Sequence, residues 1–392
     1  MHHAARRLGI NPAPGRWVPV VLALASLIAA AQCGADEWAR FRGGPEQRGL
    51  AATTLSEQPR LKWSVDVEDG VTATAAIVDG RVYVGTLGGQ VWCLSLEDGS
   101  QIWEFETELP KNSFRPGFNG GAAVAFGKVF LGDEEGVVHA FDQQTGERGW
   151  TYETESEIDA GATPIELKAG PSIMVGSHAG SLVCLDAATG ALRWEYEVGD
   201  RISCTVAVST ADDDGQTFLA GCDGELHVVD VETGERIRTV PLGAPTLASP
   251  AVADGRLFVA TQSGTVMALD LSSGEPAWTQ ELGGDVRSST AVTDDLVLLG
   301  SRDRELRALD RATGEIKWTH ATRSKIDSSP VVAGDRVYVG SSDRTIYGLN
   351  LATGAVEWTH KVRRGVVASP AIAEGHMVIG VEGPKGELLC FE

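Results

Sequence analysis

Cysteine is scarce, six residues in 392, and no two are adjacent or spaced Cys-x-x-Cys. Zinc-finger and thioredoxin-type chemistry therefore lack their residues. Long stretches free of glycine and proline are also missing: after residue 36 the longest is fifteen residues. That excludes long helices, coiled coils and helical repeats as the architecture. Bases are in deficit, 33 Lys and Arg against 54 Asp and Glu, a formal charge of −21. A protein that neutralises nucleic-acid phosphates is not built this way. The eight histidines are scattered without ligand spacing, and neither a Ser-His-Asp arrangement nor a phosphate-cradling glycine loop can be defended. What is present is a hydrophobic content of 43%, enough to bury a core. The 47 glycines follow no G-x-y period, which excludes collagen.

Residues 1–35 read as an address rather than as fold. Arg6, Arg7 and Arg16 precede an apolar run from Trp17 to Ala31, and small residues lead to Ala35. This is the pattern of a secretory signal peptide, and it is short for a membrane span. Cleavage after Ala35 is the expectation. A lipid anchor at Cys33, which Gln32 fits poorly, and an uncleaved anchor are the alternatives. Export to the periplasm or cell envelope follows, with no transmembrane domain once the signal is removed. Residues 36–60 form an extended lead.

Internal repetition sets the architecture. Gly-x-x-x-Trp recurs with Trp103, Trp150, Trp194, Trp278, Trp318 and Trp358. Trp63 opens the series, and Arg238 holds one place without Trp. Successive spacings are 40, 47, 44, 44, 40, 40 and 40 residues. Each interval holds a small, apolar strand such as Ala248–Ala253, then a turn, then a β-branched strand ending near Gly such as Val337–Gly340. A third strand follows, ending in Leu-Asp or its like, before the Trp strand. Four short strands per ~40 residues are the unit of a β-propeller. Eight second strands can be counted, the last at 377–380, and the chain stops after the third strand of the eighth unit. Residues 61–67 are a fourth strand with no unit before them. The reading is an all-β, eight-bladed propeller of four-stranded blades over 61–392. The N-terminal strand completes the last blade and closes the ring, so no open edge is left at the seam. The indoles are expected to pack between blades, as structural residues.

At these residues the chain resembles the quinoprotein-like, or PQQ-repeat, eight-bladed propellers. The shared phrase Asp-x-x-Thr-Gly-x-x-x-Trp stands at Asp142–Trp150, Asp186–Trp194 and Asp310–Trp318, with Asn first at Asn350–Trp358. Size, a single domain and the export signal are most similar to the outer-membrane assembly factors of the BamB type. The segment from Trp38 to Pro45 resembles the opening phrase of exported PQQ-repeat proteins. The quinoprotein dehydrogenases of this group use an adjacent cysteine pair, a catalytic Asp, and calcium held by carboxylate and amide groups. No adjacent cysteines or long insertions exist here, so no catalytic, cofactor or metal residue is carried over.

Cys204 and Cys222 lie on the first two strands of blade 4, symmetric about a turn centred on Asp213. Opposed residues there could be bridged, so a structural disulfide and two free thiols stay open as alternatives. Asp212–Gly215 invites a calcium loop but lacks its alternate spacing and distal Glu, and a solvated turn is favoured.

Charge by face is the most informative pattern. The loop into each first strand and the loop between second and third strands emerge on one face. There blades 6–8 carry Arg287, Arg302, Arg304, Arg323, Lys325, Arg344, Lys361, Arg363 and Arg364. Blades 2 and 3 place Asp133, Glu134, Glu135, Glu153, Glu155, Glu157 and Asp159 on the same face. A solvated rim is one reading, and an oriented partner-docking surface is the sharper one. The interblade segment Leu109–Asn119 offers Phe114, Arg115 and Phe118 as interface anchors, or else folds over its own blade edge.

The functional expectation is a non-catalytic, exported scaffold, a monomeric ring that docks an envelope protein or peptide by its rim or by strand addition, without nucleic acid or cofactor. The alternative is a quinoprotein dehydrogenase-like enzyme, or a sensor, binding PQQ with calcium or another small anion in the central channel.

Overall fold

The computed structural model describes residues 36–109, 115–209 and 215–392. The signal segment, Cys33, Phe114 and Asp212–Asp214 lie outside the described residues. The fold is an eight-bladed β-propeller, with 32 strands among the described residues in eight antiparallel four-stranded sheets. Blades 1 to 7 each run in chain order from axis to rim; blade 5, for example, is Ala251–Ala253, Arg256–Ala260, Thr265–Asp270 and Pro276–Glu281. Blade 8 is composite. Ala371–Ala373, His376–Gly380 and Gly386–Phe391 are completed by Leu61–Val67, which pairs antiparallel from Leu61↔Phe391 to Val67↔Gly386.

Side-chain size follows distance from the axis. Inner strands such as Ala-Val-Ala at 251–253 are short and wholly buried, because eight of them converge around one channel. Outer strands such as Ile316–Ala321 alternate, with Trp318 buried and both neighbours exposed. The outer-strand indoles of the repeat donate to a backbone carbonyl beyond their own blade: Trp318 to Leu351 at 2.9 Å, Trp278 to Arg311 at 2.9 Å, and Trp103 to Gln143 at 3.2 Å. Trp63, Trp150 and Trp194 do the same onto Leu96, Ala187 and Val231. Trp358 uses Pro59 of the lead, so the seam keeps the same bond. The turn glycine is needed because the ring lies over it. A Cβ on Gly354, whose φ is +69°, would stand 2.5 Å from the Trp318 ring.

Arg238 answers to the same rule. Its guanidinium donates to Leu271 and Ser272 carbonyls, the place an indole N–H takes elsewhere, while Val240 fills the space over Gly274. The hydrogen bond survives and much of the apolar seal is lost.

Candidate functional site: the upper face and the channel cup

The loops that carry the rim charges are tied together by backbone bonds. Thr322 N–H donates to Arg304 O, Ser342 N–H to Lys325 O, and Val362 N–H to Arg344 O. Interblade and second-to-third-strand loops therefore do share one face, called the upper face below. The nine predicted rim cations divide into two groups. Arg302 grips Asp327 at 2.8 and 3.2 Å and reaches Asp285 at 3.7 Å. Arg287 pairs with Asp285 at 3.1 Å and Lys325 with Asp327 at 2.7 Å. Burial alone would raise the Asp327 carboxyl, but the bonds from Arg302 and Lys325 outweigh it and hold it below its usual range. Arg363 is exposed, 3.7 Å from Asp66 and 3.8 Å from Glu387. Arg304, Arg323, Arg344, Lys361 and Arg364 are exposed, and their side chains have no carboxylate partner among the described residues.

The acidic half needs one correction. Asp133 is 2% exposed and turned inward, 2.8 Å from His139, while its other oxygen accepts the Glu135 and Val137 amides. Glu134, Glu135, Glu153 and Glu155 are exposed.

The loop-anchor reading also changes. Phe118 is fully buried, against Gly85 and Leu131, so it is not available to a partner. It occupies the repeat position taken by Ile158, Ile202, Ile326, Val366 and Val71, each of which covers the backbone at the end of the preceding blade's second strand. Arg115 donates to Thr107 O at 2.5 Å and pairs with Glu106 at 3.1 Å. At these two residues the segment folds over its own blade. Alignment of the repeat onto the residue before Asn119 would have revealed this.

The Cys204–Cys222 disulfide is not formed, and both thiols are free. The first two strands of blade 4 pair Ala207↔Phe218, Val208↔Thr217 and Ser209↔Gln216. Continued back, that register sets Cys204 opposite Gly221, and a one-residue offset sends the two side chains to opposite faces. Cys222 instead lies 3.1 Å from Arg201 Nε, and Cys204 bonds Ala220 O.

The channel holds what the sequence did not reveal. The lead circles inside it and hydrogen-bonds to all eight blades. Trp38 exchanges both backbone bonds with Ile77. Carbonyls of Ala39, Pro45, Glu46, Arg48 and Gly49 accept the amides of Val124, Val208, Val252, Val292 and Val332. Arg40 reaches Pro164 O in blade 3, and Asp36 accepts the Glu374 amide in blade 8. Arg42 is entirely buried and donates to Thr290 O and Pro330 O, both at 2.7 Å. Burial pushes its guanidinium down to about 9. These inner-strand groups would otherwise face the lumen unpaired.

Above the lead a cup of about 160 Å³ opens upward, with Phe41 on its floor. A belt of hydroxyls forms its wall. The amides of Gly161, Thr205, Ser249, Ser289 and Ser329 donate in turn to Thr205, Ser249, Ser289, Ser329 and Ser369, each at 2.9 Å. Three of these hydroxyls, Ser249, Ser329 and Ser369, each precede a proline. At the mouth stand Asn119, Asp159, Ser203, Arg287 and Asp327. The quinone-and-calcium set does not fit these residues. The cup is about half the ~300 Å³ at which small-molecule pockets begin. The lead fills the space below it, and no two of the described cysteines are adjacent in sequence, as a pair flanking a quinone would be.

Asp159 at this mouth belongs to a cluster that sequence spacing missed. Glu157, Asp159 and His178 bring their ligand atoms within 4.8 Å of one another. His178 Nε2 is 3.0 Å from Asp159 and 3.0 Å from Ser203 Oγ, and its Nδ1 is 3.4 Å from Glu157. Burial and the Asp159 charge push the Glu157 carboxyl up, while His178 pulls the other way.

These features define an eight-bladed propeller of the PQQ-repeat kind with a filled channel. Residues 52–221 and 222–391 each match the family described as outer membrane protein assembly factor BamB, and the chain belongs to that family. The solved BamB of Moraxella catarrhalis is 21% identical, superposes with a TM-score of 0.69, and covers 85% of this chain and 97% of its own. Quinohemoprotein alcohol dehydrogenase of Comamonas testosteroni superposes with a TM-score of 0.78 at 15% identity, covering 92% of this chain and 81% of that chain. In sequence that enzyme is 27% identical over 186 residues, which is 45% of this chain and only 21% of the enzyme. At these identities the structural likenesses show the fold.

Proposed function

We propose that this protein is a non-catalytic, exported scaffold of the cell envelope whose upper face docks a protein or peptide partner. Membership in the BamB family supports the envelope assignment. The observation that carries the docking reading is the set of five exposed, unpaired cations over blades 6–8 on a chain of formal charge −21. Such a patch steers and orients an acidic partner. The filled channel counts against the competing reading, a quinone-dependent oxidoreductase, which the partial sequence match favours.

The test is crosslinked capture from the native envelope with Arg323, Arg344, Lys361 and Arg364 reversed to Glu. Lys325 is left alone, because its bond to Asp327 is structural. Loss of a specific partner at unchanged melting temperature is the expected result. Equal capture by the variant would remove the docking reading, and a visible quinone band in the purified protein would establish the oxidoreductase.

A further inference from the structure

The described residues hold two clusters of two carboxylates and a histidine, and they differ in completeness. In the cluster of Asp223, Glu225 and His227, both ring nitrogens are engaged, Nε2 by Asp223 at 2.8 Å and Nδ1 by the Tyr196 hydroxyl at 2.8 Å. A neutral imidazole donates to the carboxylate and accepts from the phenol, so both ring nitrogens there are satisfied.

The cluster at the cup mouth cannot close in this way. A neutral His178 has one N–H and one lone pair, yet both nitrogens face carboxylates. If Nδ1–H donates to Glu157, Nε2 accepts from the Ser203 hydroxyl and directs its lone pair at Asp159, 3.0 Å away. The second oxygen of Asp159, Oδ1, is shielded from solvent and has no hydrogen-bond partner. That oxygen can take up a further donor or a cation. The nearby guanidinium of Arg201 has its Nε directed at Cys222. The equivalent positions of blade 7, Lys325 and Asp327, have no such deficit, since Arg302 and Lys325 neutralise the carboxylate.

We propose that Glu157, Asp159 and His178 bind a divalent transition-metal ion of the zinc class, with its remaining coordination positions open toward the cup. An imidazole nitrogen with two carboxylate oxygens is a donor set for such an ion, and three protein ligands leave room for water or a ligand atom. The ligand atoms already lie within 4.8 Å of one another, and a zinc ion draws such atoms in to ~2.0–2.2 Å from itself. The ion satisfies Asp159 Oδ1 and relieves the repulsion between the carboxylates. Asn119 donates to Glu157 at 3.4 Å and orients it from outside. The hydroxyl belt and Phe41 lie below, so a small oxygen-bearing group reaching the ion rests in the cup. This site is in blade 3, and its test is independent of the docking cations in blades 6–8.

The experiment uses chelator-stripped, full-length mature protein, titrated with Zn²⁺ by calorimetry and with Co²⁺ by visible absorption. One saturable equivalent is expected, raising the melting temperature. Asp159→Asn and His178→Ala should weaken it by roughly 100-fold. His227→Ala, in the satisfied cluster, should leave it unchanged. His178→Gln, close in size and still able to hydrogen-bond, covers the case in which His178→Ala fails to fold, and should also lose Co²⁺ absorption. Zn²⁺ binding that survives both His178 variants overturns the proposal. So does the lack of a saturable equivalent in the wild type, or Ca²⁺ binding as tight as Zn²⁺ and indifferent to His178.

Discussion

Blades 5–8 and blades 1–4 use one backbone plan for different work. The late blades follow a 40-residue spacing and the early ones run at 40, 47, 44 and 44. At matching places on the upper face, blades 6 and 7 set Asp285, Arg287, Arg302, Lys325 and Asp327, where each carboxylate meets a cation. Blade 3 sets Glu157, Asp159 and His178, where carboxylates meet each other and one imidazole. The boundary falls at the outer strand of blade 4, where Arg238 replaces the indole. A propeller holds its shape through inner-strand packing and blade-to-blade seals, so the mouth positions are free to carry different charges.

The largest expected effect comes from breaking a late seal. Trp318→Ala should destabilise by about 3–5 kcal/mol in urea unfolding, through a cavity beside Gly354 and an unpaired Leu351 carbonyl. A loss below about 1 kcal/mol would mean that the indoles do not hold the ring. Next, Asp327→Asn should cost about 2–3 kcal/mol by leaving Arg302 and Lys325 face to face at a site where Asp327 is 14% exposed. Because the folded Asp327 carboxyl is depressed, its contribution is present above the unfolded value of ~3.9 and is lost as pH falls through the folded value. The mutant's deficit should therefore shrink below about pH 4, which a pH series of melting curves would check.

Smaller effects sharpen the contrast at the boundary. Arg238→Trp should stabilise by no more than about 1 kcal/mol, because it adds apolar surface beside Val240 while keeping a donor for Leu271. Arg238→Ala should lose about 1 kcal/mol, well below Trp318→Ala. The smallest effect has the opposite sign. Glu157 sits among acids with its carboxyl raised, so Glu157→Gln in metal-free protein should gain a few tenths of a kcal/mol at neutral pH. The raised value means that native stability is lost as pH rises from the unfolded ~4.3 through the folded value, so this gain should vanish at pH 4.

Much of the fold was legible because the period fixes it. The Trp series, the second strands ending in Gly, and an orphan fourth strand at 61–67 imply eight blades and a composite seam. Particular residues escaped where the argument was local. Phe118 looked like an interface anchor because aromatic and Arg residues beside prolines do so, but its repeat position is a buried one. The cysteine pair was judged from a turn centre half a residue away from the true register. His178 has no ligand spacing, since its partners arrive from the loop into blade 3 about twenty residues earlier.

The sequence alone determined what periodicity can encode: strand number, blade size, the outer-strand indoles and the closing strand, because each blade repeats one local hydrophobic pattern. Only the tertiary structure decided which charges meet and where the lead goes. Eight edges of inner-strand backbone converge on one axis, and no single repeat records that they need a partner. Trp38 to Ala51 supplies it. Whether a carboxylate ends as half of an ion pair, like Asp327, or faces a histidine, like Asp159, depends on loops brought together across blades.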